Sequence, residues 1–388
     1  MQVTNKTAKH MTEAKPVIKK IQARQWLFPL AAAYAMPILP LSVLAMLGQI
    51  RWLPGLANPY VHAHELIFGV AFLVICGYLL GNIERQRLQL LVGSWLLARL
   101  SFWLLAFHPL SAVFSAVAAF LLARQVVPAF WRAQKWQNRS VAPIVSLVSL
   151  LTAVAGSSAL VFADILPHML IVLSALMFFM GGRVIAPVLA SFWLQQGVRM
   201  GNRVQPNVEG AGLIALGIAF VLEVLGILPG LKGLVLLAAG GIIALRILRW
   251  QPWQYLRRLD ILFLFAGYGG LALAAFLLGL REFIPRAQLV ATHGVTVAAL
   301  GVLMVTIMAR VTVVKVHKDG NALRSSHVAS GLLVIAAITR LLAPLYPPAY
   351  VPLLHTAMLA WSLGFATLLT VLWRCRLRTP SLPDLTGA

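Results

Sequence analysis

Apolar runs of about twenty residues recur along the whole chain, and their length limits its fold more than any other feature. A helix rises 1.5 Å per residue, so a run of about twenty crosses a hydrocarbon core of roughly 30 Å. A membrane barrel would show alternating segments of about ten residues instead. The sequence therefore predicts an all-α, polytopic transmembrane helix bundle of about 12 spans. They fall near residues 26–47, 61–80, 88–107, 110–127, 141–162, 167–190, 209–228, 231–249, 260–280, 286–309, 327–345 and 352–373. Pro, Gly, Asn or charge clusters mark most gaps, as in "RWLPGLANPY", "FWRAQKWQNRS" and "APLYPPAYVP". The shortest connectors are at Phe107–Pro109 and Pro229–Gly230. Composition agrees: 60% of residues are hydrophobic and 11% charged, where soluble domains carry about 25% charged.

The formal net charge of +22 raises the question of nucleic acid. The charge is scattered between apolar runs, which fits basic loops facing anionic lipid, and no nucleic-acid partner is expected. The bias between alternate loops is steep. One side collects the lysine-rich N-terminal segment, Arg85, Arg87, Arg124, Arg132, Lys135, Arg139 and the later basic loops. The other holds Arg51, Lys232, Arg281 and Arg286, while Arg99, Arg183 and Arg340 fall within spans. By the positive-inside rule both termini are expected in the cytoplasm of a bacterial inner membrane, and in a Gram-negative cell the opposite face is periplasmic. The expected organisation is a basic cytoplasmic tail over 1–25, one twelve-helix domain over 26–374 and a cytoplasmic tail over 375–388. The N-terminal segment reads as a soluble tail rather than a secretion signal. Cys76 and Cys375 suggest neither a disulfide nor a metal pair.

This topology sorts the histidines. His62, His64, His108, His168, His293 and His355 all lie in outer loops or near the outer ends of their spans. Glu65, Glu223 and Arg340 share that depth, with Arg99 somewhat deeper. Ionisable groups within spans face the bundle interior or a wet cavity and mark function. In "HAHE" (62–65), His62 and Glu65 are three apart and share a helical face, while His64 points largely the other way. One histidine is expected to ligate a metal or haem, with Glu65 orienting His62, and the other to serve a second centre or an interface. The expected metal set is His62, His64, His168, His293 and His355. Imidazole also suits proton relay, and the residues alone leave both uses open. An interfacial anchor is an equally good reading of His108, which lies in a loop.

Elsewhere, "FMGGRVIAP" (179–187) sets Gly181 and Gly182 before Arg183, where small residues let helices approach. Arg183 would reach a haem propionate only at a centre on the cytoplasmic side. Pro187 is expected to kink or end its helix. Met304 and Met308, four apart, read first as core filling. There is no P-loop, no dinucleotide-binding glycine pattern and no CxxCH, so any haem is expected to be non-covalent.

Taken in order, "HAHELIFG", "WLLARL" (95–100), "GGRVIAP" (181–187), "HGVTVAALGVLMVTIMARVT" (293–312), "RLLAP" (340–344) and the pair His355 and Trp361 resemble the NnrS family of bacterial inner-membrane proteins. The resemblance implies a twelve-helix protein of the nitric oxide response, linked to denitrification and nitrosative stress and containing haem and copper. It implies His62, His64, Glu65, Arg183, His293 and Arg310 as candidate cofactor-binding residues. The chain departs from the family pattern at "GNIERQR", at Phe265–Ala266 before the "GY" pair, and at "VKVHKDG", where His317 is displaced. The expected partners are the lipid bilayer and a small ligand such as nitric oxide. No catalytic residue is identifiable, and the oligomeric state is left open. Export of a metal, haem or NO-derived complex, or assembly of another metalloenzyme, is the alternative.

Overall fold

The computed structural model describes residues 20–378 apart from 53 and 106. The expected tails fall largely outside those residues. Twelve helices long and apolar enough to cross a membrane run through the described chain: α1 Arg24–Met46, α2 Pro59–Leu79, α3 Arg85–Leu105, α4 Pro109–Trp131, α5 Trp136–Ala155, α6 Ala159–Gln195, α7 Pro206–Leu225, α8 Pro229–Arg249, α9 Leu259–Leu280, α10 Gln288–His317, α11 Arg324–Leu345 and α12 Pro347–Leu377. Each expected span has its helix, including those divided only by the two shortest connectors. The chain thus forms a polytopic all-α bundle. Its outer surface is apolar: α3, for example, turns Leu97, Leu100 and Leu104 outward, as a lipid-facing helix should.

Several boundaries differ from the expectation: α6 starts eight residues earlier, α10 runs eight residues further, and the turn between α7 and α8 lies at 226–228 rather than at Pro229–Gly230, which open α8. The fifth span does not run to residue 162. Gly156, Ser157 and Ser158 form the turn, and α6 begins at Ala159, capped by the Ser158 hydroxyl, which accepts from Val161 N–H at 3.1 Å. Ser158→Ala is expected to cost about 1 kcal/mol, read as a lower unfolding temperature. Pro187 does not end α6, which continues to Gln195; in a bundle, neighbouring helices satisfy the carbonyl a proline frees. Residues counted into the N-terminal tail instead form β1 (Lys20–Gln22), antiparallel to β2 (Asn82–Glu84), with Lys20 opposite Glu84.

The core is centred on α2, α6 and α10, the most enclosed spans. Two of these are irregular in the same way. A π-helical segment, Glu65–Ala71, interrupts α2 directly after His64, and a second, Gly294–Gly301, interrupts α10 directly after His293. Such wide turns widen the spacing of side chains and are frequent at functional sites. The bundle closes on itself, since Trp361 of α12 donates from Nε1 to the Ala35 carbonyl of α1 at 3.1 Å.

Candidate functional site

The histidine layer divides into two sites and three solitary residues. The first site is a cavity of about 760 Å³ at the end of the bundle with few lysines and arginines. Its walls come from α1, α2, α6, α10, α11 and α12, and it is mostly apolar. The polar groups that decide its chemistry are His62, His293, Arg286, Arg340 and Tyr350.

Local sequence aims these groups. Asn58 caps α2 by accepting from Tyr60 N–H at 2.8 Å, with Pro59 in the first turn, which fixes the helix phase so that His62 faces the cavity. On α10, His293 Nδ1 donates to the Leu289 carbonyl at 2.8 Å. A carbonyl can only accept, so Nδ1 carries the proton and Nε2 keeps its lone pair. Metal-ligating histidines are oriented in this way. Arg340 lies within electrostatic range of both rings and bonds Tyr350. Its Nη1 and His62 Nδ1 are buried without a partner among the described residues. Among the described residues no Asp or Glu lines the cavity. Arg340, whose Nη1 has no partner among the described residues, favours an anionic guest, because an uncompensated charge is costly at membrane depth; Arg286 is exposed at the rim and adds positive charge there.

The second site lies on the other side of α2. Glu65 does not orient His62, as the three-residue spacing led us to expect. The π turn that starts at Glu65 shifts its phase, and the carboxylate turns with His64 toward α3. Oε1 accepts from Arg99 at 2.5 Å and lies 3.2 Å from His64 Nδ1. Oε2 accepts from Trp103 Nε1 at 3.0 Å and from the Tyr34 hydroxyl. Gly69 makes room for Tyr34, whose ring would lie 2.7 Å from a Cβ there. His64 stacks on Phe102 with ring centroids 3.8 Å apart and is ringed by Phe68, Phe107 and Phe162. Glu65 and His64 are fully buried and Arg99 is 4% exposed, so this is an ion pair locked inside the bundle.

The remaining expected residues stand apart. His168 bonds the Asp164 carbonyl and meets Phe220 edge-on. His355 is half-buried on α12 and does not line the cavity, although Met358 does. His108 caps α4, accepting from Leu110 N–H at 3.2 Å. The described residues hold no group of three or more His, Cys, Asp or Glu placed to hold one metal ion. Glu223 belongs to a separate network with Lys232, Arg281 and Glu282.

Arg183 and Arg310 lie outside the cavity lining. Arg310 pairs with Asp260; it is seventeen residues from His293, about 25 Å along a helix. Arg183 bonds Asn138 and stacks over Phe179 at 4.8 Å. The two glycines before it admit neighbours: Gly181 meets the Tyr268 ring and Gly182 the Arg246 guanidinium. Arg246 in turn bonds Glu209, Tyr268 and the Phe178 carbonyl between the Phe178 and Trp250 rings. The GGR motif thus carries a packing junction.

The geometry defines a multi-pass helical membrane protein with a histidine- and arginine-bearing chamber at one end of the bundle. The family model described as NnrS protein matches residues 22–379. The chain therefore belongs to the NnrS family. No curated protein and no solved structure gives a match.

Proposed function

We propose that this NnrS-family protein holds a non-covalent haem in the cavity of His62 and His293 and serves the bacterial nitric oxide response from the inner membrane. Both termini would lie in the cytoplasm and the histidine chamber toward the periplasm. The observation that carries the reading is the pairing of two available imidazoles with two guanidinium groups and no carboxylate. His62 and His293 would hold the iron, and Arg340 and Arg286 would take the propionates. The volume of about 760 Å³ suits a ligand of that size, within the roughly 300–1,000 Å³ of small-molecule sites. Ferrous haem supplies strong binding of nitric oxide. The protein's own part is to keep the chamber apolar, to hold His293 Nε2 basic through the Leu289 carbonyl, and to compensate anionic charge through Arg340. The cavity also carries thioethers, Met46, Met304 and Met358, beside the two imidazoles, a donor mix that suits copper as well; the guanidinium groups favour the anionic macrocycle, and the proposal is for haem. The same two guanidinium groups weigh against a chamber for a bare metal cation.

The test is a reduced-minus-oxidised optical spectrum of detergent-purified full-length protein, with iron and copper measured on the same sample. A Soret band with stoichiometric iron, lost or shifted in His293→Ala and His62→Ala but kept in His355→Ala, is expected. Arg340→Ala is expected to weaken haem retention without moving the band. A flat spectrum after expression with ample haem overturns the reading in favour of transport or assembly.

A further inference from the structure

A second pocket lies beside the histidine chamber. Its volume is about 80 Å³, and it is walled by apolar residues of α1, α2, α6 and α10, among them Phe28, Val74, Leu173, Met177 and Leu303. Among the described residues no charged side chain lines it, and Tyr78 is the one lining side chain with a polar group. A water held in such a space needs two to four polar partners, and apolar cavities that lack them stay dry and take up benzene or xenon. The space is too small for a benzene-sized guest in an engineered cavity of ~150 Å³ but ample for a diatomic. Tyr78, Met180, Val184 and Ile307 along its edge are half-buried, so it opens on one side between α2, α6 and α10. Leu300 and Met304 line both this pocket and the histidine chamber. Both are buried. Leu300 lies in the last turn of the π segment of α10, which ends at Gly301, and Met304 follows one turn later. An unbranched thioether with three rotatable bonds can swing aside without moving the backbone.

We propose that this pocket is a binding site for a gas-sized apolar molecule, and that Leu300 and Met304 form the partition through which such a molecule passes to the histidine chamber. A small apolar gas concentrates in hydrocarbon rather than water, and the open side meets it there. The passage deepens the haem reading, whereas the binding site itself does not depend on it.

The probe is xenon, applied under pressure to the full-length protein in detergent or in crystals, whether or not haem is bound. Xenon is expected in the pocket of the wild type and absent from Val74→Phe, with the chamber unchanged. Should Val74→Phe fail to fold, Val184→Phe at the edge serves the same purpose. A pocket without xenon, or one filled by a lipid chain, overturns the binding site whatever the optical spectrum shows. In haem-loaded protein, Met304→Trp is expected to slow carbon monoxide association several-fold after flash photolysis, read on the fraction that retains haem. An unchanged association rate overturns the passage and leaves the haem reading standing.

Discussion

Arg99→Leu is expected to leave the protein unstable or unfolded in detergent, with a loss of about 3–5 kcal/mol, the range seen when one partner of a buried ion pair is removed. Glu65 is fully buried and accepts from Arg99, Trp103 and Tyr34. Without the guanidinium its charge has neither water nor a cation. The measurement is thermal unfolding of the purified protein, set in a double-mutant cycle with Glu65→Gln. The double variant should be more stable than Arg99→Leu alone, because the stranded charge is gone. If Arg99→Leu unfolds like the wild type, Glu65 is not held as a charged group and the pair has been misread. The cluster also predicts a contrast between the two histidines of one motif. His64→Ala should lower stability by opening a void among phenylalanine rings, whereas His62→Ala should act on the chamber.

Gly270→Ala is the second large effect. A Cβ at Gly270 would sit on the Ala298 carbonyl, inside the π segment of α10. The obstacle is backbone, so no side chain can swing clear, and α9 and α10 must separate. Overpacking of this kind costs about 1–3 kcal/mol. His293 directly precedes the displaced segment. The substitution is therefore expected to disturb the optical band as well as the unfolding temperature. Gly269→Ala is the control, since a Cβ there meets nothing within 4 Å. Exchange of glycine for alanine in a helix should then be neutral or favourable by up to ~1 kcal/mol. Equal effects from the two substitutions would mean that helix propensity, not the close approach, is being measured.

Much of this architecture was legible in the residues because lipid imposes one rule on every span. Apolar length gave the helices, and Pro109 marked the start of α4; the turn between α7 and α8 was placed at Pro229–Gly230 but lies at 226–228, because a proline in the first turn of a helix reads like a break. The fifth boundary was missed because apolar residues flank the turn on both sides; "GSS" at 156–158, with a serine cap, was the available signal. Individual side chains were harder. The phase of Glu65 was derived from an ideal helix, and the π turn that rotates it depends on packing against α1 and α3, which no local pattern encodes. Arg340 was seen at the depth of the histidines, yet its convergence with His62 and His293 needs the packing of α11 against α10. Arg286, on the rim, looked like an ordinary loop charge. Arg183 and Arg310 followed from motif position, which says nothing of the end of the bundle where a guest would lie.

The bond from Trp361 to the carbonyl of Ala35 joins the last helix to the first. Helices enter the membrane in the order in which they are synthesised, and the chamber draws on α1 and α2 early, then on α10, α11 and α12. A nascent chain that has reached α9 holds His62 but neither His293 nor Arg340, and its first helix still lacks its final neighbour. The chamber thus comes into being only once α12 has been made. Whatever occupies it must be delivered after all the helices that line it are in place, so the supply of the guest and the supply of the polypeptide can be regulated separately.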